Sequence, residues 1–192
     1  MSLRVPDDHT LRRLFRSAID EAFRARSELY SPDVAEHLAD EVLCDFVHVD
    51  RIYRLKDLAG RRLEELHEMI PITCESEGPE RRLEVDRYIG DFALFMGGFF
   101  PASLHQTFRA LPLVSRVGGI LVSFSDPADY YRAEGRNAYS RAAETARLFA
   151  PDARQTYTQL ADRFEGYESV LGEVRRILWQ RPEMQDLEGL LE

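Results

Sequence analysis

Asp91 stands in the most apolar stretch of the chain, between Tyr88 and Phe95 and directly after Gly90. A carboxylate in such a setting needs a partner or takes a raised pKa. Arg87 lies one turn earlier. Arg136, Tyr131 and Tyr139 lie on a later helix that the small-residue pattern places alongside. The spacing predicts an Asp91–Arg136 pair satisfied further by tyrosine hydroxyls. Two meanings are open. One is a structural ion pair between packed helices. The other is a polar pocket in which Asp91, Arg136, Tyr139, Tyr131 and His105 hold a small polar ligand. There Arg136 would hold an anionic group, Asp91 would orient it or act as a base, and Tyr139 would donate a hydrogen bond.

Metal chemistry is the second candidate. His37, Glu41, Cys44 and His48 recur at four, three and four residues, so they share one helical face. At 1.5 Å per residue, however, His37 and His48 are about 16 Å apart along the axis, too far for one ion. That face also lies opposite the apolar stripe, which predicts solvent exposure. The other pattern is Glu64-x-x-His67 with Asp45-x-x-His48. Helical di-metal carboxylate proteins use paired Glu-x-x-His motifs with further acids, here Asp20 and Glu21 on the first helix. Such a site would take iron, manganese or zinc. The simpler expectation is no cofactor, a half-buried His67 and a solvated Asp45.

Nucleophilic chemistry has no support. There is no Gly-x-Ser-x-Gly elbow and no phosphate-cradling glycine loop after a strand. Cys74 has Glu75 and Glu77 beside it, and nearby acids raise a thiol pKa. The Tyr88, Phe92, Phe95, Phe99, Phe100 cluster with Met96 reads as core, with a hydrophobic ligand cavity as its functional alternative.

These residues need helices to position them. Leu11, Leu14, Phe15, Ala18, Ile19, Ala22 and Phe23 repeat at three and four, an amphipathic helix capped by Asp7 or Asp8. Ser31-Pro32-Asp33 starts a second, with Val34, Leu38, Val42, Phe46 and Val49 as its buried stripe. Leu63, Leu66 and Ile70 are in phase on a third that Pro71 should end, with a loop over 72–79. A long apolar helix is predicted over 80–100, and another from Pro127 to Phe149. A last long helix opens at Pro151 and ends before Pro182. Its inward side carries Tyr157, Leu160, Phe164, Tyr167, Leu171, Val174 and Leu178. Arg51 to Leu58 can continue or break a helix. Leu111 to Phe124 reads as short helices or an irregular buried crossing; Val117 to Phe124 could be a strand, but no second strand-like run offers a partner.

Gly90, Gly97 and Gly98 lie inside the most apolar helix, where each costs about 1 kcal/mol relative to alanine. Gly135, Ala138, Ala142 and Ala146 form a small-residue stripe on the helix after Pro127. Close approach of the two backbones would compensate; a cofactor lying over the glycines is the alternative.

At 192 residues, with 44% hydrophobic and 31% charged, the chain can build its own core and is neither disordered nor collagen-like. The uncharged run Phe92 to Phe108 contains Pro101 and is too short for a membrane span. A net charge of −9, with no basic run beyond Arg-Arg doublets, argues against nucleic acid and against a polybasic membrane patch. The two cysteines read as free thiols, and the first residues show no signal-peptide core.

Two stretches, Tyr88 to Pro101 and Tyr130 to Tyr139, resemble uncharacterised bacterial proteins that share a Gly-Asp-x-Ala-Leu-Phe-x-x-Gly-x-Phe-Pro sequence. The resemblance implies a helical fold in which Gly90, Asp91, Gly135, Arg136 and Tyr139 belong to one unit. It implies no activity, cofactor or catalytic residue.

The expectation is therefore one all-α domain over 1–192, a bundle of six to seven helices around a central glycine-containing apolar helix, with an acidic tail over 183–192. The leading functional expectation is a cytoplasmic, non-catalytic interaction or regulatory module that self-associates, most simply as a homodimer, and takes a protein partner. The alternative is a small-molecule binder or enzyme with a pocket between the helices of Asp91 and Arg136. The carboxylate–histidine metal site is third.

Overall fold

The computed structural model describes residues 10–46, 55–56, 59–107, 113–117 and 119–181. The fold is all-α with one small hairpin. Helix α1 (Thr10–Arg24) buries Phe15, Ala18, Ile19, Ala22 and Phe23, the expected face. Its expected caps, Asp7 and Asp8, lie outside the described residues.

Helix α2 opens at Pro32, as the Ser-Pro-Asp start requires, but it is not uniform. Pro32–His37 is α-helical, Leu38–Leu43 is π-helical, and Cys44–Phe46 is a last α turn. A π stretch widens the turn and shifts every later residue around the axis. The expected face Val34, Leu38, Val42 and Phe46 is buried, and so are His37, Ala39, Leu43 and Cys44. The expectation that His37 and Cys44 face solvent is therefore corrected. The helix is packed between α1 and later elements, so two of its sides are interior. Val49 and most of Arg51 to Leu58 lie outside the described residues. Of the latter, Leu55 is buried and its carbonyl accepts from the Leu63 amide at 3.0 Å.

Helix α3 (Leu66–Glu75) begins later than its apolar phase suggested, because Glu65 and Glu68 form a reciprocal capping box. Pro71 does not end it. It sits inside the helix, and the buried Leu66 and Met69 hold the turn before it in place. Helix α4 (Pro79–Phe99) is the expected central helix; between Val85 and Phe95 only Arg87 is not buried. A short α5 (Pro101–Thr107) follows.

The segment expected to be irregular is instead a hairpin. Strands β1 (Leu113–Val117) and β2 (Ile120–Phe124) pair antiparallel, with Val117 opposite Ile120 and Leu113 opposite Phe124. The partner that the strand reading lacked is the run immediately before Gly118-Gly119. A two-residue connection favours positive φ, and Gly119 has φ of +87°.

Helix α6 (Pro127–Phe149) is capped by Asp126, whose carboxylate accepts from the Ala128 amide at 2.8 Å. The last helix is two: α7 (Pro151–Asp162) and α8 (Phe164–Trp179), broken at Arg163. The break lets one continuous apolar side wrap the core, with α7 against α6 and α2, and α8 against α4 and α1. The tail over 183–192 lies outside the described residues. No helix among the described residues is long and apolar enough to cross a membrane.

The glycines do bring helices together, in more than one pairing. A Cβ on Gly90 would lie 2.7 Å from the Tyr139 ring, joining α4 to α6. A Cβ on Gly135 would meet Phe164 at 2.5 Å and Ala93 at 2.8 Å. Gly97 and Gly98 face Glu168 and Leu171 of α8 rather than α6.

Candidate functional site

Asp91 is 1% exposed at the meeting of α4, α6 and α2. Tyr139 OH donates to its Oδ1 at 2.7 Å, and His37 Nε2 donates to the same oxygen at 2.6 Å. Arg87 Nη1 donates to Oδ2 at 3.1 Å and to Glu41 Oε2 at 2.7 Å. Burial alone would raise the Asp91 pKa. The His37 ring, the Arg87 guanidinium and the Tyr139 hydroxyl outweigh it and hold the carboxyl below its ordinary range. Burial and then Asp91 push the Tyr139 hydroxyl well up. Tyr157 stacks on Tyr139 with ring centroids 6.4 Å apart, and His37 meets its edge. This joins α7 to the cluster.

The cluster differs from the expected pocket. Asp91 and Tyr139 meet as the sequence suggested, but the cation on Asp91 is Arg87, with the His37 ring as a further partner, and not Arg136. Arg136 is exposed and pairs with Glu165 at the surface. Tyr131 is buried against Phe92 and Tyr130. His105 lies on α5, and its side chain is outside those described. His37 was grouped with a metal face because it lies off the apolar stripe, and a helix with two interior sides buries such positions as well.

Of the other metal candidates, Asp45 is half-buried at the end of α2, Glu64 is exposed and His67 is half-buried on α3. His48 lies outside the described residues. Among the described residues, no group of three or more His, Cys, Asp or Glu side chains is arranged to hold a metal ion.

A second feature lies on the far face of α6. A cleft of about 860 Å³ separates α3, the hairpin and α6. Helix α3 supplies His67, Ile70, Pro71 and Cys74, and the hairpin supplies Leu113, Val114, Ser115 and Arg116. Helix α6 contributes Tyr130, Glu134, Asn137 and Arg141, spaced four, three and four along one face. Asn137 pins the hairpin to the helix: its Nδ2 donates to the Arg116 carbonyl at 2.9 Å and to Ser115 Oγ at 3.3 Å. Arg141 Nε donates to the buried Asp86 Oδ1 at 2.8 Å, and Thr73 Oγ1 donates to the same oxygen at 3.2 Å. Burial pushes the Glu134 carboxyl up, and the Ser115 hydroxyl and the Arg141 charge only partly oppose this.

Sequence reasoning passed over Glu134, Ser115 and Arg141. The signal was present in the Tyr130–Glu134–Asn137–Arg141 spacing. The strand that faces it was not recognised, so the stripe had no visible partner.

A smaller cleft of about 260 Å³ opens beside His37 and Tyr157, with Asp33, Glu36, Asp40, Glu41 and Asp152 around it. Arg12 and Arg16 hold Asp40 there, and Arg87 holds Glu41.

No family model, no curated protein and no solved structure matches the chain.

Proposed function

We propose that the chain is a small-molecule-binding protein whose ligand occupies the cleft between α3, the hairpin and α6. The observation that carries this reading is the cleft itself. Its volume lies within the range of small-molecule sites, and Glu134, Ser115, Asn137 and Arg141 converge on it among the apolar Ile70, Pro71 and Leu113. On this reading the pocket lies on the opposite face of α6 from Asp91. At Asp91 the carboxylate is already taken up by His37, Tyr139 and Arg87, which suits a structural cluster. The role proposed is binding, with no metal or organic cofactor required for it.

Ligand-observed NMR of a fragment mixture against the full chain tests the reading. Cys74→Trp serves as the blocked form, because Cys74 is exposed on the cleft wall and a tryptophan there closes it. Fragments that bind the chain and are released by Cys74→Trp are expected. A chain that retains its hits in the variant, or shows none, overturns the proposal.

A second reading, an interaction module that forms a homodimer, is favoured by one observation. Ile120 and Leu121 at the hairpin tip are 71% and 68% exposed, and Val114 is exposed nearby. The two free thiols, Cys44 and Cys74, suit the reducing cytoplasm proposed for either reading.

A further inference from the structure

Four carboxylates are buried among the described residues: Asp86, Asp91, Glu134 and Glu168. Three have an arginine. Asp86 has Arg141 at 2.8 Å, Asp91 has Arg87 at 3.1 Å, and Glu168 has Arg132 at 2.6 Å. Glu134 is 5% exposed and makes no ion pair among the described residues. Of these four acids, Glu134 is the one that lines the large cleft. A buried carboxylate without a cation is costly unless a cation arrives.

From this contrast, and resting on the cleft as the binding site, we infer that the ligand is an organic amine, bound as its ammonium form, with Glu134 as counter-ion. The groups that face Glu134 fit this assignment. Arg141 is the nearest protein cation, but its Nε is spent on the buried Asp86. Its buried Nη2 has no hydrogen-bond partner among the described residues and makes no ion pair with Glu134. A ligand acid would have to claim that nitrogen, which the phenylpropionate probe tests. Arg116 is exposed on the outer side of β1, at the rim. Ser115 and Tyr130 beside Glu134 carry no charge in the ordinary pH range. Of the remaining lining, Ile70, Pro71, Leu113 and Val114 form an apolar patch, with His67, Asn137 and Ser140 as polar groups beside it. The patch suits a hydrocarbon or aromatic body attached to the ammonium rather than a polyamine. Burial raises the Glu134 pKa, and an arriving ammonium would oppose that shift by favouring the carboxylate.

Three near-isosteric probes separate the possibilities: 2-phenylethylamine, 2-phenylethanol and 3-phenylpropionate, titrated calorimetrically into the full chain at neutral pH. The amine is expected to bind at least ~10-fold more tightly than the alcohol or the acid, a difference of ~1.4 kcal/mol. Glu134→Gln keeps the size of the side chain and is expected to reduce the amine to the affinity of the alcohol. The alcohol itself should be unaffected, which shows that the variant still folds. Cys74→Trp should abolish binding of all three. An alcohol or acid that matches the amine, or an amine indifferent to Glu134→Gln, overturns the ammonium assignment and leaves the cleft reading standing. Binding that survives Cys74→Trp, or no binding of any probe, overturns both.

Discussion

Asp91 and Glu134 are both buried acids, and their surroundings drive them in opposite directions. Asp91 is held ionised by His37, Arg87 and Tyr139, with its pKa below the ordinary range. Such a group contributes stability that is present above the unfolded pKa and is lost as pH falls through the folded one. Asp91→Asn removes the buried charge that Arg87, His37 and Tyr139 share. Arg87 keeps Glu41, so the loss is expected at the lower end of that for a broken buried pair, about 3 kcal/mol at neutral pH. The deficit should shrink in acid, where wild-type Asp91 is protonated as well. Glu134 is the reverse case, with its pKa raised by burial. Its stability is highest while the carboxyl is neutral and falls as pH rises from the ordinary glutamate range through the raised folded value. Glu134→Gln should therefore stabilise the protein at neutral pH by about 1–3 kcal/mol, the penalty of an incompletely satisfied buried polar group, and change little in acid. Urea midpoints for both variants, followed from neutral pH down through the carboxylate range, check both signs. Parallel profiles would refute the opposite pKa shifts of the two acids.

At the scale of elements, the glycines divide by what surrounds them. Gly135→Ala places a Cβ 2.5 Å from the Phe164 ring and 2.8 Å from Ala93 Cβ. Ala93 is short and carried by α4, so the helices themselves must separate. The strain, about 1–3 kcal/mol, outweighs the helical gain of about 1 kcal/mol from replacing glycine. Gly172→Ala in α8 meets only the Gly98 carbonyl, at 3.7 Å, which is ordinary contact. Gly135→Ala should lower the melting temperature and Gly172→Ala should raise it; shifts of the same sign would show that close packing does not decide these positions. The same contrast explains what was legible beforehand. The extents of α4 and α6 and the presence of close helix contacts followed from apolar phase, caps and small residues. The π stretch of α2, the break at Arg163 and the survival of α3 past Pro71 did not. Each depends on neighbours: α2 is buried on two sides, α7 and α8 wrap a curved core, and Leu66 and Met69 anchor the turn before the proline. Asp91 stood out as a site candidate from its apolar setting, while its burial, 1% exposed, is shown by the structure alone. Its partner His37 was hidden because α2 is interior on two sides, so a residue off the apolar stripe is buried too, and the Glu134 stripe was hidden because the strand opposite was unassigned.

At the scale of the molecule, the hairpin is embedded on one face only. A two-stranded hairpin is marginal alone and needs a helix or further strands. Helix α6 covers one face, where Leu113 and Ser115 are buried, while Val114, Ile120 and Leu121 stay exposed. Across 113–124 the only charged side chain is Arg116. The chain as a whole carries −9, so two copies repel at long range, yet the hairpin surfaces that would meet carry almost no repulsive charge. Association through the hairpins should therefore be weak at low ionic strength and tighten as salt shortens the screening length to about 8 Å at physiological concentration. Sedimentation velocity across a salt series should show a monomer shifting to a dimer, and Ile120→Lys with Leu121→Lys should keep the protein monomeric throughout. A dimer that dissociates with salt, or one indifferent to the two lysines, would place the interface on the charged faces instead. Since Val114 borders the cleft as well as this exposed face, self-association by the hairpin would also narrow the entrance to the Glu134 site. Amine affinity measured at protein concentrations below and above the dimerisation midpoint should then differ, and the double lysine variant should not show that difference.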